Sequence, residues 1–231
     1  MTLPKPVLRT HRFLSRNLFY PLALSTALVF FFFGVRAYLS GGLTYVFLIK
    51  NLFLAWLPYG FALAANYLFT RTRRLWPAIL FFSGLWLLFL PNAPYIITDF
   101  LHLQPRSGVP LWYDVGFIMS IAMTGLFLGI ASLRAVHGII HHLAGPVVGW
   151  GFALGAIALS GLGVYLGRFL RWNSWDLLAE PFGIVIDSLR IFRHPLGYAE
   201  ELGFVFMIAA LMLVGYWMTS PGRLIVEELE G

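Results

Sequence analysis

Leu75–Leu103 reads LWPAILFFSGLWLLFLPNAPYIITDFLHL, and its first 23 residues, Leu75–Ile97, carry no charge. A helix needs roughly 20 apolar residues to cross the hydrocarbon core of a bilayer, so this stretch is long enough to span one. Near its end stands Pro91-Asn92-Ala93-Pro94, which predicts a broken helix, and Asp99 and His102 follow directly. An interrupted helix beside ionisable groups at a membrane surface is energetically expensive and marks a candidate functional site.

Working outward, five more uncharged stretches of at least 18 residues appear: Leu18–Val35, Leu52–Phe69, Val115–Leu133, Leu143–Gly167 and Leu202–Ser220. Composition agrees with a membrane solvent. Hydrophobic residues make up 59% of the 231 and charged residues 11%, with a mean hydropathy of +0.79. A soluble domain carries about 25% charged residues. The expected fold is therefore all-α and polytopic, with six transmembrane helices, a broken third helix and an interfacial amphipathic segment. Residues 1–17 read as a basic cytoplasmic leader, 18–220 as one six-helix membrane domain and 221–231 as a short charged tail. The leader precedes an apolar stretch longer than the 7–15 residues of a signal peptide, with no clear small-residue cleavage site after it, so a retained first helix is expected.

The chain has no cysteine, which removes disulfides, thiolate nucleophiles and Cys-ligated metals, and no metal site is assigned. A net charge of +6 in so apolar a chain points to membrane electrostatics and away from nucleic acid. Lys5, Arg9, Arg12 and Arg16 in the leader, with Arg71, Arg73 and Arg74 in the second connection, favour cytoplasmic termini by the positive-inside rule. Arg168, Arg171, Arg190 and Arg193 in the fifth connection run against that orientation. Whichever face is outside, the first, third and fifth connections share it, and they hold most of the unusual polar residues. The opposite face has basic turns and the cluster His137, His141 and His142.

On the polar face, Lys50-Asn51 reads as an anchoring lysine followed by a helix-capping asparagine. Pro58 implies a kink. Asn92 is placed to cap a short helix, on which Tyr95, Asp99 and His102 fall at i, i+4 and i+7, one stripe. Asp99 can then orient His102 for acid–base chemistry, or the stripe can simply face water. Asp114 complements the start of the next helix beside Trp112 and Tyr113. Gly125/Gly129, Gly151/Gly155 and Gly163/Gly167 have the spacing of close helix contacts.

The run Gly167–Asp176, GRFLRWNSWD, packs two arginines, two tryptophans, an amide and a carboxylate into ten residues. Arg168 and Arg171 can clamp a phosphate or carboxylate, or pair with Asp176 among lipid headgroups. Asn173 or Ser174 suits a cap for the following helix, and Asp187, Arg190 and His194 form the polar side of an amphipathic segment within Asp176–Arg193 and just beyond it. There is no Gly-rich phosphate loop, GxSxG or HExxH, and no obvious internal repeat.

Together NLFLAWLPY, FLPNAPYIITDFLHL, PLWYD and GRFLRWNSWD resemble the bacterial membrane proteins grouped as domain of unknown function family 1361, over roughly Asn51 to Pro181. The resemblance implies a polytopic inner-membrane protein and carries over neither a reaction nor any site residue. From the residues, the leading expectation is an outer-face site for an anionic lipid headgroup or lipid-linked substrate. Tyr95, Asp114, Arg168, Arg171 and Asp176 would bind it, and in an enzymatic version His102 and Asp99 would act as the acid–base pair. The alternatives are a non-catalytic assembly partner and a transporter or proton-coupled permease. No cofactor is indicated.

Overall fold

A computed structural model describes residues 5–72, 75–106, 108–193 and 196–219. Arg73, Arg74, His194 and the 221–231 tail lie outside the described residues. Among those described the fold is helical, with a single β-bridge between Arg106 and Val109. In chain order the elements are α1 (Lys5–Arg16), α2 (Phe19–Ser40), α3 (Val46–Arg71), α4 (Trp76–Phe89), α5 (Asn92–Tyr95), a 3-10 helix (Ile96–His102), α6 (Leu111–Phe169), α7 (Asp176–Ala179), α8 (Pro181–Arg193) and α9 (Ala199–Thr219). Five helical segments are long and apolar enough to cross a membrane: α2, α3, Trp76–His102, α6 and α9.

α6 would be about 89 Å long if its 59 residues ran straight. Instead Gly145 leaves the helical region at φ 82° and ψ 175°, and Pro146 follows. The left-handed φ suits a residue without Cβ, and the proline supplies no amide for the broken ladder. The two arms, 111–144 and 146–169, fold back on each other. Trp86 shows this, since its indole donates to Ser132 on the first arm at 3.0 Å while its ring stacks on Phe152 of the second. Along one straight helix those two positions would be about 30 Å apart. His137 likewise meets Trp150 with ring centroids 5.3 Å apart. The connection expected between the fourth and fifth apolar stretches is therefore no loop: the first arm stays helical through Arg134, His137 and His141–His142.

The first arm is the centre of the molecule. One core joins Leu22 and Val29 of α2 and Leu48, Leu52 and Tyr59 of α3 to Phe117, Ile121 and Leu128. A second joins Trp86 and Leu90 to Ile130, Leu133 and Val136, then to Ala153 and Ile157 of the second arm and Met212 and Tyr216 of α9. Of its most apolar window, α6 buries 67%, against 17% for α2 and for α9. The outer helices thus keep most of their apolar surface for lipid.

The proline segment changes hydrogen bonding more than direction. Leu90, Pro91 and Ile96 all keep right-handed helical torsions. Without amides on Pro91 and Pro94, Ala93 N–H bonds Leu90 O at 3.1 Å, and Phe89 O is left without its usual partner. The Asn92 side chain fills that gap, donating to Phe89 O at 3.0 Å. Asn92 was expected to cap a helix; the freed carbonyl takes its amide instead.

Two glycine pairs grip this segment. A Cβ on Gly125 would stand 2.6 Å from Ala93 O, and one on Gly129 3.0 Å from Ala93 Cβ. From the other arm, a Cβ on Gly163 would lie 2.5 Å from Pro91 Cγ, and one on Gly167 3.4 Å from Tyr95 Cε2. The third pair, Gly151/Gly155, has nothing within 4 Å of either added Cβ, so its spacing serves no close contact here. Beyond α6, the exposed side of α8 carries Phe182, Val185, Ile186 and Leu189, an apolar stripe fit for an interface.

Candidate functional site

A cleft of about 500 Å³ opens between α3, α4 and the second arm of α6. Its lining is graded. Lys50, Asn51, Asn92, Tyr95, Asn173 and Ser174 ring one end together with Trp172 and Trp175. The rest of the lining is apolar and includes Leu54, Leu87, Leu88, Gly84, Leu159 and Leu166. Leu159 stands seven residues below Leu166 on one helix, so the apolar part reaches about 10 Å inward from the polar end. Such a shape suits an amphiphile: a donor-rich mouth above a greasy slot.

The mouth is held by hydrogen bonds between distant segments. Asn92 Nδ2 donates to Ser174 Oγ at 2.9 Å, tying the proline segment to the Trp-rich run. Trp172 donates from Nε1 to Asp187 Oδ2 at 3.0 Å, and its ring covers Gly183. That glycine lets α8 approach closely, since a Cβ there would come within 3.0 Å of the indole.

Asn51 lines the cleft and leads to the charged cluster beside it. Its Nδ2 donates to Asp99 Oδ2 at 2.8 Å. Asp99 is 1% exposed, and Arg168 Nη1 sits 3.7 Å from its Oδ1. The same Nη1 donates to His102 Nε2 at 3.1 Å. A guanidinium has no lone pair to offer, so His102 accepts through Nε2 and carries its proton on Nδ1. The Phe47 ring meets the imidazole edge to face, with centroids 5.2 Å apart. Asp99 and His102 are thus joined through Arg168. Lys50, at the mouth, forms no ion pair among the described residues. Lys50 and Arg168 face the Asp99 carboxylate here, while Asp187 and Asp176 are held by Trp172 and Asn173 of the mouth.

The remaining residues singled out from sequence are placed elsewhere. Asp114 is 1% exposed and forms a bidentate pair with Arg36, Nε to Oδ1 at 2.7 Å and Nη2 to Oδ2 at 3.3 Å. The Arg36 guanidinium also lies 4.2 Å from the Tyr45 ring centroid. Asp176 bends back on Asn173, accepting its backbone N–H at 2.6 Å and its side-chain amide at 3.1 Å, which fixes the entry to α7. Arg171 adopts φ 62°, a left-handed conformation strained for any residue with a Cβ, and stands exposed. Of the seven, Tyr95 lines the cleft, Asp99, His102 and Arg168 form the cluster beside it, and Asp114, Arg171 and Asp176 stand apart. Among the described residues no three His, Asp or Glu side chains converge as metal ligands.

Sequence reasoning missed Arg36 and the role of Asn51. Asn51 was read as a helix cap, but α3 begins five residues earlier at Val46, leaving the amide inside the helix and free to reach Asp99. The signal that was available is the apolar run Val46-Phe47-Leu48-Ile49 ahead of it, which lets the helix begin before Lys50.

No curated protein and no solved structure matches this chain. A family model does, over residues 50–214, which include both walls of the cleft, the proline segment and the Trp-rich run. The chain belongs to the family described as protein of unknown function, DUF1361.

Proposed function

We propose that the cleft holds an anionic amphiphile, a lipid or lipid-linked compound, at one face of a bacterial inner membrane. The observation that carries this reading is the grading of one cavity from a mouth of amides, hydroxyls, indoles and Lys50 to a slot of leucines about 10 Å deep. The reading takes α6 as two crossings, and so six in all, because the fold at Gly145 gives it two antiparallel arms of spanning length. With six crossings, the basic leader α1 favours cytoplasmic termini, which puts the cleft on the outer face in this reading.

In this reading Lys50 and Arg168 attract the anionic group, Asn51, Asn92 and Tyr95 orient it, and the leucines hold the chain. Arg171 and Asp176 flank the mouth without lining it, and Asp114 acts as structural support through Arg36. An acid–base role for His102 with Asp99 uses the nitrogen that accepts from Arg168. It therefore requires an arriving anion to draw Arg168 away. Assembly without a ligand is the second reading, and the paired state of Asp114 and Asp176 favours it. The cavity does not.

The test is photocrosslinking with a phosphatidylglycerol analogue bearing a diazirine in its acyl chain, using the full chain in nanodiscs. Labels concentrated on Leu54, Leu88 and Leu159 support the proposal, with about tenfold less labelling in K50Q/R168Q. Labels spread evenly over the lipid-facing helices reject it.

A further inference from the structure

A second cavity, of about 410 Å³, lies at the other end of α3, between the α1–α2 corner and the first arm of α6. Lys50 in the first cleft and Phe69 in the second are about 28 Å apart along that helix, close to the thickness of a bilayer core. The two cavities therefore open towards opposite ends of the bundle.

The lining of this second cavity is unlike that of the first. It includes Arg16, Arg134 and His142 with Asn17, Asn66 and Thr70, and none of its lining residues is acidic. Neither arginine takes part in an ion pair among the described residues. Arg134 is half-buried, between the buried Leu133 and Ala135 on the molecule's central helix. A partly desolvated cation without an anionic partner is unfavourable, and a second guanidinium on the same cavity adds repulsion. An anion between the two would relieve both costs.

The corner that brings Arg16 here is firmly built. Leu18 adopts φ 63°, turning the chain from α1 into α2. Asn17 secures the turn by donating to Phe13 O at 2.8 Å and accepting from Asn66 Nδ2 at 3.2 Å, while Tyr59 Oη donates to Asn17 O at 2.9 Å. Phe13 packs edge to face on Tyr67 of α3. A left-handed leucine is strained, so these bonds hold the end of α1 in a position it would not adopt alone.

We infer that this cavity is a phosphate-binding site, in which the guanidinium groups of Arg16 and Arg134 hold a phosphomonoester or phosphodiester at the membrane face bearing α1. The planar donor fork of arginine matches phosphate oxygens in pairs, which an ammonium does not reproduce. The ligand is either the headgroup of an anionic lipid or a soluble phosphate compound; the chemistry at the arginines is shared.

Binding of short-chain phosphatidylglycerol and of inorganic phosphate to the full chain in neutral detergent, measured by titration, tests the inference and separates its sources. Saturable binding of either probe, weakened about tenfold or more by R134Q and by R16Q and not restored by R134K, supports the site. If only phosphatidylglycerol binds, the ligand is a headgroup; if inorganic phosphate binds as well, a soluble phosphate suffices. R16Q lies at the exposed end of α1 and keeps the test valid if R134Q does not fold. K50Q, in the other cleft, should leave this component unchanged. Binding that neither arginine variant alters, or no binding of either probe, overturns the inference. Binding that only K50Q weakens belongs to the first cleft and overturns this inference alone, whereas no phosphatidylglycerol binding at all counts against both clefts.

Discussion

Asp114 and Asp99 are equally buried, at 1% exposure, yet they are kept in opposite ways. Asp114 shares two hydrogen bonds with its own cation, Arg36, which is itself 1% exposed. Asp99 has a neutral amide as its closest partner, while its cation stands 3.7 Å away, 16% exposed and shared with His102. The first pair is closed to any further ligand. The second leaves a partly exposed arginine beside a cavity. Burial alone does not separate a structural carboxylate from one at a site; the mobility and sharing of its counter-ion do.

Breaking the closed pair should give the largest effect. Arg36→Ala leaves Asp114 buried without compensation, which costs about 3–5 kcal/mol. The expected outcome is loss of the monodisperse peak in size-exclusion chromatography. The double variant R36M/D114L removes both charges and should recover most of that loss. If it does not, the pair has a role beyond mutual neutralisation.

Next in size is the platform beneath Asp99. Gly125→Val drives a side chain into Ala93 O and should destabilise by about 1–3 kcal/mol, read as a fall in thermal midpoint. Gly151→Val, on the open side, should stay within about 0.5 kcal/mol. Equal effects would mean that the grip on the proline segment is not what holds Asp99 in place.

Asp99→Asn should cost less than Arg36→Ala, because the nearest partner is an amide and Arg168 reaches solvent. Its sharper consequence is for binding. With the carboxylate gone Arg168 is less neutralised, so affinity for an anionic amphiphile should rise severalfold, and Arg168→Gln should lower it. Opposite signs in the two variants are the result to look for; a fall in both would separate the cluster from the cleft. Asp176→Asn should be smallest, within about 0.5 kcal/mol, since an amide oxygen still accepts the Asn173 N–H.

Much of the fold was legible because apolar length and proline position act locally. The apolar stretches and two of the three glycine pairs follow from the order of residues alone, whereas the proline segment, expected to break the third helix, keeps helical torsions and changes only its hydrogen bonding. The partnerships were not legible. Arg36 and Asp114 are 78 positions apart, and Asn51 and Asp99 are 48 apart. No helical period connects residues so distant, and only packing decides which polar groups meet. By hydropathy Arg36 also fell outside the first apolar stretch, whereas α2 continues to Ser40 and carries it into the core. The turn at Gly145-Pro146 was hidden for the converse reason: the polar residues before it suggested a loop, but they remain helical until one glycine reverses the chain.

That reversal has a consequence for how the protein is made. Two helical arms joined through one non-helical residue have no linker between them to be paid out during insertion. In the six-crossing arrangement, neither arm can settle in the bilayer while the other waits outside it. If both arms cross, they are expected to enter the bilayer as one hairpin, closed by Trp86, which touches both.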